Sequence, residues 1–189
     1  MGDRQDGVAG WPAGPAGTTY WVTGLPGAGK STLARALADR LRATGRSVVA
    51  LDGGRLRPII GARHGYGRAD RQAMGHAYGQ LCREFSGQGH DVVCATVSLF
   101  DEVRRWNRDN IAAYREIYLR VSIDTLIARH PKGLQAAARA GRIRNVPGVD
   151  LAIEEPRLPD VLIDDDGDLS PEEVAGAVFG QLWPSCSAL

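Results

Sequence analysis

Short apolar runs and longer one-sided apolar stripes alternate along this chain. Tyr20-Trp-Val-Thr23 is a run of strand length, and from Ser31 to Thr44 the residues Leu33, Ala34, Leu37, Ala38 and Leu41 recur at helical spacing. Ser47 to Asp52 predicts a second strand ending on a carboxylate. Ala69 to Ser86 predicts a helix interrupted by Gly75 and Gly79, and Asp91 to Thr96 a third strand. Asp101 to Tyr114 predicts a helix with Asp101 as its N-cap. Glu116 to Val121 predicts a fourth strand, Asp124 to His130 a short helix, and Pro159 to Ile163 a fifth strand. Ser170-Pro-Glu-Glu173 opens a last helix running to Trp183, with serine at the N-cap, proline at the first helical position and Glu173 at the capping-box position.

Strands separated by helices predict an α/β fold, a five-stranded mostly parallel sheet with helices on both faces. Right-handed crossovers gather the loops after the strand C-termini on one edge, where open α/β sheets take their ligands. One stretch breaks the alternation. Residues 131–155 hold Lys132, Arg139, Arg142 and Arg144 but no strand-like run, which predicts either a lid over a ligand or a solvated, charged helix and loop.

The turn between the first strand and helix carries the most chemistry. Gly24-Leu25-Pro26-Gly27-Ala28-Gly29-Lys30-Ser31 fits the phosphate-cradling pattern G-x-x-x-x-G-K-[ST], and Thr32 follows it. Glycines there let backbone N–H groups point at phosphate oxygens, and the helix N-terminus adds partial positive charge. Lys30 is placed to reach the β- and γ-phosphates of ATP, and the Ser31 hydroxyl to hold Mg²⁺. No Asn-Lys-x-Asp segment is present, which argues against a guanine-nucleotide switch.

Composition narrows the partners. The chain has 189 residues, enough for one α/β domain, and a formal net charge of +1. That balance offers no broad field for nucleic acid or an anionic membrane, so any anionic ligand must be met by local arginines. The cysteines Cys82, Cys94 and Cys186 form no C-x-x-C pair and predict reduced thiols in the cytoplasm. His64, His76, His90 and His130 lack metal-ligand spacing. Residues 1–17, rich in Gly, Pro and Ala, predict a flexible leader without a signal or anchor, and Asp6 argues against myristoylation of Gly2. Residues 184–189 predict a loose tail, leaving a domain at 18–183.

From Trp21 to Trp183 the chain resembles the adenylylsulfate (APS) kinases. The resemblance rests on several blocks in order: Trp21 to Thr32; Leu51-Asp-Gly-Gly-Arg-Leu-Arg57; Gly65-Tyr-Gly-Arg-Ala-Asp-Arg71; Ser98; Pro131-Lys-Gly-Leu134; Ala138-Arg-Ala-Gly141; Gly148-Val-Asp150; and Glu154-Glu-Pro156. It implies a P-loop kinase fold, a homodimer, and transfer of the γ-phosphoryl of ATP to the 3′-hydroxyl of adenosine 5′-phosphosulfate, giving PAPS. By the same resemblance Lys30 and Ser31 serve ATP and Mg²⁺, and Asp52 lies near the acceptor hydroxyl and the metal. Arg57 and Arg71 clamp the phosphosulfate, Tyr66 stacks on the base, Ser98 contacts the substrate, and Lys132 and Arg139 belong to the lid. Plainer roles stay open: Asp52 capping a turn, the arginines pairing with surface acids, Tyr66 packing in the core, Ser98 as an ordinary loop hydroxyl.

The chain departs from the family where the acceptor is expected. Gly54 replaces the second acid of the Asp-Gly-Asp turn, and Arg55 the asparagine after it. Met74 replaces an asparagine, Leu99 the proline after Ser98, and Val146 the phenylalanine that closes over the adenine. Gly54 and Arg55 together predict a pocket more cationic by about two charges, and loss of one aromatic face predicts looser base selection. Two alternatives follow: a related kinase acting on another acceptor, such as a cytidine or adenosine diphosphate derivative, or a non-catalytic ATP-binding regulatory protein.

Overall fold

The computed structural model describes residues 15–60, 65–165 and 169–184. Five strands form one sheet: β1 (Thr19–Gly24), β2 (Val48–Asp52), β3 (Asp91–Thr96), β4 (Tyr114–Arg120) and β5 (Val161–Asp164), in the order β2-β3-β1-β4-β5. Every pairing is parallel, so the sheet is wholly rather than mostly parallel. The helices are α1 (Lys30–Ala43), α2 (Gly53–Ile60), α3 (Arg68–Gly87), α4 (Asp101–Asn110), α5 (Ile123–Arg129), α6 (Leu134–Arg139) and α7 (Pro171–Leu182).

Alternation along the strands splits the core in two. Tyr20, Val22, Val93, Ala95, Ile117 and Val161 pack with Leu33, Leu37 and Leu41 of α1 and Val178 of α7. Trp21, Val92, Cys94 and Tyr114 pack with Met74, Tyr78 and Cys82 of α3 and Val103 of α4. A parallel sheet needs both faces covered, and these layers supply the cover.

Three local expectations change. The helix from Asp101 stops at Asn110: Ile111 takes an extended backbone and is buried, and Tyr114 opens β4. Asp101 is the first helical residue rather than the N-cap, which is Phe100; its N–H donates at 2.6 Å to Oε2 of Glu154, 53 residues away. Helix α2, which starts with two glycines and contains Pro58, forms where the resemblance implied a turn. Oδ1 of Asp52 accepts from the N–H of Gly54 (2.9 Å) and Arg55 (3.2 Å) and so caps it. Helix α6 lies inside the charged stretch 131–155. The Ser170 capping box is present as the sequence implies.

Cys82 and Cys94 are buried and unbridged; their mutual hydrogen bond and burial hold the Cys94 thiol well above its usual range. Cys186, His64, residues 1–14 and residues 185–189 lie outside the described residues. Of the segment read as a leader, Gly17 is docked: its N–H donates to Ser86 O at 2.9 Å. A Cβ on Gly17 would lie 1.9 Å from the His90 carbonyl oxygen. Gly17→Ala is therefore expected to destabilise the fold by about 1–3 kcal/mol, because the obstacle is main chain. Chemical denaturation checks this, and an unchanged midpoint would show that the contact is absent.

Candidate active site

β1 runs straight into the glycine turn at the C-terminal edge of the sheet. Gly24 has φ 153°, and a Cβ there would sit 2.5 Å from Leu119 O. Gly29, at φ 87°, is the residue before α1 and turns the chain into the helix. The first turn of α1 contains no acidic side chain of its own, which leaves its N-terminal partial charge available to a bound anion.

Lys30 begins α1 and is 8% exposed. Its ammonium donates to Leu25 O at 2.7 Å. Burial pulls its pKa down from 10.5 to about 8, and the Asp52 carboxylate offsets only part of that. The Ser31 hydroxyl donates to Oδ2 of Asp52 at 2.5 Å. Asp52 thus does two jobs: one oxygen caps α2, the other meets Ser31 at the loop.

Lys30, Ser31, Asp52, Arg57, Arg71 and Ser98 line one cleft of about 240 Å³. Its wall also carries Gly54, Met74, Tyr78, Thr96 and Phe100. Sequence reasoning singled out Met74 only as a departure and missed Tyr78, Thr96 and Phe100. Their positions on a helix face and at a strand end were the available signal. Tyr78 donates its hydroxyl to Gly53 O at 2.9 Å and pins α2. The Ser98 and Thr96 hydroxyls share a hydrogen bond at 3.0 Å within the cleft, so Ser98 is buried rather than a solvated loop hydroxyl.

Arg57 and Arg71 both line the cleft, and Tyr66 lies beside them. Tyr66 as a residue is 59% exposed, outside the core, and does not line the cleft. The Arg57 guanidinium lies 4.3 Å from the ring centroid and that of Arg71 5.6 Å away. Arg71 also donates to Tyr66 O (2.9 Å) and Asn145 O (3.0 Å). Burial and the like charge of Arg57 both disfavour the charge on Arg71. An anion between the two would relieve that repulsion.

Val146 and Arg55 do not line this cleft, and the lid cations Lys132 and Arg139 lie within the charged stretch 131–155. Val146 is buried, with its N–H bonded to Asp150 Oδ1 at 2.7 Å, and it does not line the cleft. Arg55 is exposed and does not line the cleft, whereas its neighbour Gly54 does. Arg139 is bridged to Asp124 at 2.7 Å, and Lys132 lies exposed in the turn before α6. The charged stretch packs on the loop through other groups: Gln135 of α6 donates to Pro26 O at 2.5 Å, and Gly148 lies against Leu25.

A second cleft of about 280 Å³ opens on the other side of α1's start, lined by Gly29, Thr32, Arg129, Asp165, Leu169 and Pro171 among others. Arg129 and Asp165 are paired at 2.7 Å. Neither was singled out in the sequence, where they read as a helix end and a loop.

The residues present fit Mg²⁺ bound through a phosphate. Ser31 and Asp52 offer hard oxygen donors facing one space, and Mg²⁺ keeps waters and phosphate oxygens rather than needing a protein cage. Among the described residues no group of three or more His, Cys, Asp or Glu could hold a metal by itself. No helix among them is long and apolar enough to cross a membrane.

The family model for adenylylsulphate kinase matches residues 16–164. An adenylyl-sulfate kinase of Bacillus velezensis is 37% identical over 158 residues, 82% of this chain and 80% of the relative. A cytidine diphosphoramidate kinase of Campylobacter jejuni is 36% identical over 136 residues, 72% of this chain and 79% of the relative. The APS kinase of Mycobacterium tuberculosis, solved with AMPPNP and APS, superposes with a TM-score of 0.81 at 32% identity, covering 89% of this chain and 99% of that one. With its wholly parallel sheet and its glycine loop, this chain belongs to the adenylylsulphate kinase family.

Proposed function

We propose that this protein transfers the γ-phosphoryl of ATP to the 3′-hydroxyl of an anionic nucleotide, with APS giving PAPS as the leading reading. One observation carries it. The phosphate-side pair Lys30 and Ser31, the carboxylate of Asp52, and the arginines Arg57 and Arg71 line a single cleft. Phosphoryl transfer asks for alignment and neutralisation of charge spreading over the phosphoryl oxygens. The main chain of residues 24–32 and Lys30 would hold the triphosphate, and Ser31 and Asp52 would hold Mg²⁺, which supplies charge neutralisation between the phosphates. Asp52 would also orient the acceptor hydroxyl. Arg57 and Arg71 would take the acceptor's anionic tail through guanidinium forks, with Ser98 donating beside them. The base of ATP would lie in the second cleft, over Thr32 and the Arg129–Asp165 pair. The catalytic domain would span 18–183, act in the cytoplasm and pair as a homodimer, with 131–155 as its lid; sedimentation checks the pairing.

A second reading has its own support. Gly54 and Met74 both line the cleft where an acid and an amide are expected, and the Campylobacter jejuni relative is a cytidine diphosphoramidate kinase. An acceptor panel decides. With Mg-ATP, turnover on APS well above that on cytidine and adenosine diphosphate derivatives supports PAPS formation. The reverse order assigns the acceptor to the second class. ATP binding with no turnover on any acceptor would leave only a regulatory role.

Lys30 gives this reading a pH signature. A phosphate beside the ammonium raises its pKa above the free-state value of about 8. Binding therefore takes up a proton above that pH, and ATP affinity is expected to fall by up to about tenfold per unit as pH rises beyond 8. Calorimetry in buffers of different ionisation enthalpy measures the uptake. Affinity that is flat from neutral to strongly alkaline pH, with no proton uptake, would contradict the role of Lys30.

A further inference from the structure

We infer that Gln135 is a positioning residue for ATP, holding the phosphate loop in its binding shape from outside the cleft. This rests on the reading that residues 24–32 bind ATP.

Gln135 sits on α6, more than a hundred residues from the loop in sequence, and is 4% exposed. A buried side-chain amide without a partner is costly, and Nε2 here donates to Pro26 O at 2.5 Å. Pro26 lies between Leu25, whose carbonyl receives Lys30, and Gly27, whose φ is 87°. The loop's N–H groups can face a phosphate only if its carbonyls are turned away, and Gln135 holds one of them turned away. The Gln135 amide is also close to Gly27: a Cβ built there would lie 4.0 Å from Nε2 and 3.5 Å from Leu126. A second support stands beside it, since Gly148, at φ 81°, brings the turn after α6 against Leu25 and Ile123. Gln135 does not line the cleft, so its effect must pass through the loop.

Two substitutions test this, read as the ratio of variant to wild-type Kd for Mg-ATP by calorimetry between pH 5.5 and 7.5. Gln135→Met keeps the length and removes the donor; its ratio is expected to rise about tenfold at every pH. Gln135→Glu restores a donor only when its buried carboxyl is protonated. Its ratio is expected to approach one at pH 5.5 and to climb at least tenfold by pH 7.5. A merely space-filling role would not produce that pH dependence. The KM for the acceptor should stay within twofold of wild type in both variants. Wild-type affinity in Gln135→Met, or a pH-independent ratio in Gln135→Glu, overturns the inference. Failure of the wild-type protein itself to bind Mg-ATP would instead overturn the reading on which it rests.

Discussion

Lys30→Ala is expected to reduce phosphoryl transfer by about a hundred- to a thousandfold or more, the scale on which removal of one preorganised charge-stabilising donor acts. The fold should survive. Lys30 is buried with a single carbonyl as its hydrogen-bond acceptor, and its pKa of about 8 records the cost of holding a charge there. Removing that charge releases the cost, so the melting temperature should hold or rise while activity collapses. A surface lysine would show neither half of that pattern. Steady-state rates and a thermal melt on the same preparation check it; near-normal turnover would defeat the assigned role.

Asp52→Asn carries the second large effect and separates the two jobs of that side chain. The amide keeps an oxygen to accept from the N–H groups of Gly54 and Arg55, so the start of α2 stays capped. The negative charge facing Ser31 and the proposed metal is lost. We expect kcat to fall by about a hundredfold or more and the Mg²⁺ requirement to rise, with stability changed by less than about 1 kcal/mol. Asp52→Ala removes the cap as well and should lose stability in addition. If asparagine supports normal turnover, Asp52 is a helix cap and nothing more.

What the sequence made legible was whatever is written locally. The glycine loop is a contiguous pattern, the strands are contiguous apolar runs, and the Ser170 capping box spans four residues; each is found where the residues imply. What it hid depends on contacts far along the chain. Helix α2 begins with two glycines and contains a proline, and it exists because Asp52, at the end of the preceding strand, caps it. Asp101 carries a good capping side chain, yet the bond to its N–H comes from Glu154, which also pairs with Arg68. Gln135, in the short alanine-rich helix α6, carries no motif at all. Tyr66 has Arg57 over its ring and Val146 is inside a turn, so neither stands on the cleft wall. Gly54, by contrast, does stand there, and a Cβ on it would meet only Asp52 Oδ1, at 3.1 Å. Gly54→Asp therefore reaches the cleft, whereas Val146→Phe would overfill a buried site.

The most direct measurement follows the labelled terminal phosphate. ATP labelled in its γ-phosphoryl group, Mg²⁺ and APS are incubated with the protein, and the products are identified by mass spectrometry. The proposed reaction predicts ADP and a 3′-phosphorylated acceptor in equal amounts, with the label wholly in the acceptor, and at least about a hundredfold less transfer from Lys30→Ala protein. Label released only as inorganic phosphate, or ADP formation indifferent to APS and to every other nucleotide offered, would contradict it.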